Sequence, residues 1–111
     1  MNANDYQTQA LRTATPHMST EERLLNAVLG ISGEAGEVLE LVKKARYQGH
    51  PLDSYHLAKE LGDVVWYIAL ASDALGISLD RILELNLEKL RKRYPHRFTP
   101  DQSMNRKDDD L

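Results

Sequence analysis

Glu34 and Glu37 stand three residues apart in "GEAGEV", and Glu60 and Asp63 repeat that spacing in "KELGDVV". On a helix, side chains three apart are stacked neighbours on one face. With Glu34 at zero on an ideal wheel, the apolar centre of its segment falls about 70° to one side and Glu37 about 60° to the other. Setting Glu60 at zero gives the same offsets for its own apolar centre and Asp63, at about 70° and 60°. Two such helices packed side by side would bring four carboxylates together at the margin of a core. Unpaired negative charges that close repel and raise one another's pKa, so a cation belongs among them. Oxygen-only donors suit hard ions, Mg²⁺ above all, with Mn²⁺ or Ca²⁺ also compatible. Each interior helical glycine costs roughly 1 kcal/mol relative to alanine. Gly33, Gly36 and Gly62 beside the acidic pairs therefore read as room left for a close helix, a metal or a ligand.

A basic complement follows downstream. Asn86, Lys89 and Arg93 fall on one stripe at spacings of three and four, flanking Leu79, Leu83 and Leu90. Such a stripe suits simple charge pairing, or the grip of phosphate oxygens by arginine's fork and lysine's point charge. A lone acidic pair at this spacing is usually a solvated helix edge. Two pairs with matching offsets and small neighbours carry more weight. Glu40 and Lys44 read as an ordinary surface pair. His17, His50, His56 and His96 read as residues in or near loops, and none stands three after a core-edge glutamate, against a di-iron bundle. Trp66 reads as interface packing ahead of a base-stacking platform, and Tyr6 and Tyr67 as core residues ahead of pocket-lining ones, Tyr67 lying near the carboxylate edge.

Four helical segments would position these groups. The first runs from about Asn4 to Thr13, ended before Pro16. The second opens at Ser19, with Glu22 completing a capping box, and continues to about Tyr47 before Gly49 and Pro51. Asp53 caps the third, which ends at Gly76. Ser78 caps the fourth, closed by Pro95. No internal repeat and no strand alternation is visible. The expected fold is all-α: an antiparallel bundle of about four helices in a single domain, residues 1–111, with its core from about Ser19 to Phe98 and a loose tail over 99–111. In the third helix Leu57, Leu61, Val64, Val65, Ile68 and Leu75 form one apolar face, with Trp66 and Leu70 toward the opposite side. In the second, Leu25 and Leu29 are displaced from the stripe of Leu24, Val28, Ile31, Val38 and Val42. Helices apolar on two sides need two layers of partners, which predicts a homo-oligomer, dimer or tetramer.

The totals bound the alternatives. The 111 residues suffice for one modest core, and 41% hydrophobic with 28% charged residues is a soluble globular composition. A net charge of -3 argues against sequence-blind nucleic-acid binding. No run reaches the roughly 20 apolar residues of a membrane span. Zero cysteines exclude disulfides and thiolate metal sites. The N-terminus shows no export signal, so a cytoplasmic location is expected.

At these residues the chain resembles a known family. "GEAGEVLELVKK" followed by "KELGDVVWYI" is similar to the MazG-like nucleoside triphosphate pyrophosphohydrolases of the all-α NTP pyrophosphatase superfamily. Their signature of ExxE on one helix and ExxD on the next corresponds to Glu34, Glu37, Glu60 and Asp63. "NLEKLRKRYPHRF" resembles the family's Lys-x-x-x-Arg-Tyr/Trp-Pro stretch, and the likeness covers most of Ser19 to Phe98. Gly33 stands where many members carry an additional glutamate. The resemblance implies hydrolysis of a (deoxy)nucleoside triphosphate to monophosphate and pyrophosphate. It implies Mg²⁺, with Mn²⁺ possible, on the four carboxylates, which would be both catalytic and metal-binding, and substrate contacts from Asn86, Lys89 and Arg93. It also implies dimers or tetramers. A narrower dUTP- or dCTP-directed hydrolase, or a non-catalytic nucleotide-binding helical module, are the alternatives.

Overall fold

The computed structural model of the protein describes residues 1–106, and these contain helices and connections without a strand. By contacts the chain divides into two compact units, the first Met1–Leu79 and the second beginning at Asp80.

The first unit is built on a long antiparallel pair. Helix α1 spans Ala3–Ala10 and passes into a 3₁₀ turn, Leu11–Thr13; α2 spans Thr20–Tyr47 and α3 spans Ser54–Ala74. Ser19 and Asp53 cap α2 and α3 as the sequence predicts, Ser19 as a simple cap. Ser19 accepts the Glu22 amide at 3.1 Å, and Asp53 accepts the amides of Tyr55 and His56 at 3.0 and 3.1 Å. Asn2 and Asp5 form a reciprocal capping box on α1. At the end of α3, Gly76 takes a φ of 70°, the left-handed conformation that costs glycine nothing. It lets Gly76 and Ile77 return their amides to the carbonyls of Asp73 and Ser72, at 3.0 and 3.1 Å.

The seam between α2 and α3 runs through Arg23, Ala27, Gly30 and Glu34 on one side and Asp73, Leu70, Tyr67 and Asp63 on the other. Arg23 and Asp73 close one end with an ion pair of 2.6 Å. Ala27 and Leu70 are fully buried in the next layer. At Gly30 an added Cβ would overlap the Tyr67 ring, so only glycine lets the helices approach there. On its other flank α3 is covered by the N-terminal arm. Gln7 donates to the Ala69 carbonyl and accepts the Leu79 amide, both at 3.0 Å. Trp66 Nε1 donates to the Ala10 carbonyl at 3.1 Å and to Thr13 Oγ1 at 3.0 Å.

These contacts correct the expected packing. The apolar stripe assigned to the core, Leu61, Val65 and Leu75 on α3 with Val28 and Val42 on α2, is in large part exposed, Leu61 to 50%. Leu70, assigned to the far side, is 1% exposed. Trp66 packs on the chain's own N-terminal arm, which covers that flank of α3 within one chain.

Helix α4 spans Leu79–Arg93, all but its first residue in the second unit, and α5 spans Pro100–Met104. Arg81 pairs along α4 with Glu84 at 3.1 Å and Glu88 at 3.0 Å. After the helix, the rings of Tyr94 and Phe98 meet at a tilt of 56° with centroids 5.2 Å apart. Thr99 then caps α5, accepting the Gln102 amide at 3.2 Å. A helix thus occupies Pro100–Met104, where a loose tail was expected; the rest of that segment, residues 107–111, lies outside the described residues.

Candidate active site

Where the α2–α3 seam runs toward the C-terminal half of α2, its side chains turn from small and apolar to acidic. Glu34, Glu60 and Asp63 each bring a carboxylate oxygen to within 4.8 Å of the others. Glu34 and Glu60 are half-buried and Asp63 is exposed. Glu37 is exposed one turn along α2 and stands outside this group of three, although its charge is felt at Glu34. Partial burial raises the Glu34 pKa above the ordinary carboxylate range. The negative charge of Asp63, a hydrogen bond with Glu60 and the charges of Glu60 and Glu37 push it the same way. Burial and the Asp63 charge also raise the Tyr6 phenol, which places α1 within electrostatic reach of the acidic group.

Two of these carboxylates open into a cleft of about 380 Å³ lined by Thr13, Glu34, Asp63, Trp66 and Tyr67. The indole of Trp66 and the ring of Tyr67 meet edge to face, with centroids 4.9 Å apart. Tyr67, read from sequence as a core residue, is therefore also a cleft wall. His56 lies in the first turn of α3, not in a loop, with Nε2 3.4 Å from Glu60 Oε1. Its spacing of four before Glu60 is the signal that sequence reading passed over. Thr13 gave no such signal, because it reaches the cleft only once the arm has folded back on α3.

The glycines separate in the structure. A Cβ at Gly33, Gly36 or Gly62 would meet nothing within 4 Å, so these three make no room against a packed helix; Gly30 alone among the four is a site of close approach. Asn86, Lys89 and Arg93 lie on α4 at the predicted spacings, Asn86 exposed and Lys89 and Arg93 half-buried. They belong to the second unit, and the carboxylates to the first.

Three hard oxygen donors within 4.8 Å of one another, with Glu34 pushed toward its neutral form by burial and by its acidic neighbours, make a donor set that a divalent cation fits. An all-helical domain with an acidic helix–helix seam opening into an aromatic-walled cleft is the class that fold and site define. The chain belongs to the family of the MazG nucleotide pyrophosphohydrolase domain, whose model matches residues 20–98. It is 36% identical over 76 residues to the Gene 37 protein of Mycobacterium phage L5, covering 65% of this chain and 67% of that protein. It is 42% identical over 40 residues to the uncharacterized protein YvdC of Bacillus subtilis (strain 168), covering 36% of this chain and 38% of that protein. No solved structure matches the chain.

Proposed function

We propose that the protein hydrolyses (deoxy)nucleoside triphosphates to the monophosphate and pyrophosphate in a reaction dependent on Mg²⁺ or Mn²⁺. The observation that carries this reading is the convergence of Glu34, Glu60 and Asp63 in a chain whose residues 20–98 match the family model. These three carboxylates, with Glu37 beside them, would hold the cation. A bound divalent ion supplies charge neutralisation for the triphosphate and acidifies water. Oxygen from water would join the α-phosphorus and its proton pass to solvent, while the bridge between the α- and β-phosphorus breaks and pyrophosphate leaves with the electron pair. The family resemblance would give Lys89 and Arg93 the neutralisation of phosphate oxygens and Asn86 a hydrogen bond to phosphate or sugar. The uncovered apolar residues of α2 and α3, among them Leu29 and Leu61, support assembly with further copies of the chain. Light scattering on the purified protein tests that assembly: a mass of one chain would exclude it.

A panel of nucleoside and deoxynucleoside triphosphates incubated with Mg²⁺ or Mn²⁺ tests the chemistry. The expected products are equimolar monophosphate and pyrophosphate, with label from heavy-oxygen water in the monophosphate. Release of orthophosphate, or label confined to pyrophosphate, would overturn the mechanism. Glu60→Gln is expected to lower kcat by about a hundredfold or more, the size of effect of a removed charge-stabilising group in a water-excluded site. Full activity in that variant would refute the role of the acidic seam.

A further inference from the structure

We propose that His56 is a positioning residue for the acidic seam: its Nε2–H, one helical turn before Glu60, holds that carboxylate in the orientation in which it joins Glu34 and Asp63. The inference rests on the reading of the seam as a cation site and adds how one of its ligands is kept in place.

The placement begins with the cap of α3. Asp53 accepts the backbone amides of Tyr55 and His56 at 3.0 and 3.1 Å, which fixes His56 in the first turn of the helix. Side chains four apart on a helix are neighbours, so the imidazole lies beside Glu60. Its Nε2 comes within 3.4 Å of Glu60 Oε1. Of the two atoms the nitrogen is the donor, because an ionised carboxylate only accepts. The partners are unequally exposed, the His56 side chain to 52% and that of Glu60 to 22%, so the imidazole is the outer member of the pair. On its inner side Glu60 shares a hydrogen bond with Glu34, and both belong to the group of three whose oxygens lie within 4.8 Å. Glu60 therefore stands between an outer donor and the inner carboxylates.

That arrangement has a consequence for binding. A glutamate side chain loses rotamer freedom when it is ordered, and a cation that must order its own ligand binds less tightly for it. A donor already resting on the carboxylate removes part of that loss before the cation arrives, which is what hydrogen-bonding groups behind metal ligands do. Imidazole suits the place because it donates from its neutral form. Lysine or arginine there would set a fixed positive charge beside the incoming dication and oppose it.

The test follows Mn²⁺ binding to the nucleotide-free protein, through the electron paramagnetic resonance of free Mn²⁺, in the wild type, His56→Leu and His56→Gln. Leucine fills similar space without a donor, whereas the amide of glutamine places a nitrogen donor near where Nε2 stands. His56→Leu is expected to weaken Mn²⁺ binding about tenfold, the lower end of the effect of such supporting groups, and His56→Gln to bind within about threefold of the wild type. The Mg²⁺ concentration that gives half-maximal hydrolysis should move in the same order. In EDTA the three melting temperatures should agree within about 4 °C, as for an exposed pair. A His56→Leu protein that binds Mn²⁺ as the wild type does would reduce the contact to an ordinary surface pair and overturn the proposal. Equal weakening in both variants would overturn it too, since glutamine keeps the donor. So would a larger fall of the His56→Leu melting temperature in EDTA, which would make its weak binding a folding defect. A wild type that binds no Mn²⁺ would instead overturn the reading of the seam as a cation site, and the role of His56 with it.

Discussion

Gly30→Ala measures how closely the acidic helix pair is drawn together. The added methyl falls on the Tyr67 ring, in the layer directly before the carboxylates. Two effects oppose each other. Alanine improves helix propensity by about 1 kcal/mol over glycine. Forcing a methyl into a packed seam costs about 1–3 kcal/mol, and the obstacle here is a ring set edge to face against Trp66 rather than the free end of a flexible chain. The overlap wins, with a net loss of up to about 2 kcal/mol. For a chain of this length that lowers Tm by up to roughly 8 °C. Gly33→Ala is the internal control, since its methyl meets nothing within 4 Å. It should gain up to about 1 kcal/mol and raise Tm by a few degrees. Thermal melts by circular dichroism, with urea titrations to compare midpoints at constant slope, measure both. Because Tyr67 also lines the cleft, Gly30→Ala should raise KM, whereas Gly33→Ala should raise it less. Equal melting temperatures for the two variants would refute the reasoning. So would additive losses in a cycle of Gly30→Ala with Tyr67→Ala, where removing the ring should relieve the overlap.

Further outcomes follow from the same geometry. In chelator, folded stability should fall as pH rises from the ordinary carboxylate value through the raised pKa of Glu34. The folded chain holds that proton more tightly than the unfolded one, so its contribution is present at low pH and lost above. Melts in EDTA across mildly acidic pH should show this slope, Glu34→Gln should flatten it, and added Mg²⁺ should stabilise the wild type most at the upper end. Gln7→Ala should cost about 1–3 kcal/mol by stranding the Leu79 amide at the start of α4, read from urea midpoints. Asp73→Asn should cost no more than about 1 kcal/mol, because the Arg23 partner meets a carboxylate 49% exposed, and the loss should shrink in high salt.

The order of helices, three of their caps and the acidic pairs were legible in the sequence because each depends on local chemistry. Ser19 and Asp53 cap because a side-chain oxygen sits next to free amides, and Gly76 ends α3 because it tolerates a positive φ. Glu34, Glu60 and Asp63 were legible as a group because helical spacing and antiparallel pairing suffice to bring them together. Which face of α3 is the core was not. The wheel finds Leu61 and Val65 within the apolar stripe, but the fold buries Leu70 against α2 and half-buries Trp66 under the N-terminal arm. Hydrophobicity ranks faces; it does not say which one finds a partner within the chain. The three open glycines were misread for the same reason, since room beside a helix has meaning only when something approaches. Thr13 and His56 were missed because one enters the cleft through a long-range fold-back and the other acts through a neighbour four residues away.

Gln7 also constrains the order in which the chain can fold. The first amide of α4, on Leu79, finds its acceptor on a side chain 72 positions earlier. That amide is one of the few at a helix start that no turn of the helix itself can satisfy. Closing a loop of such length costs entropy that local contacts do not repay, and contacts so distant in sequence slow folding. The start of α4 is thus sealed only when the N-terminal segment is docked on α3, so the two ends of the first unit are coupled through one side chain.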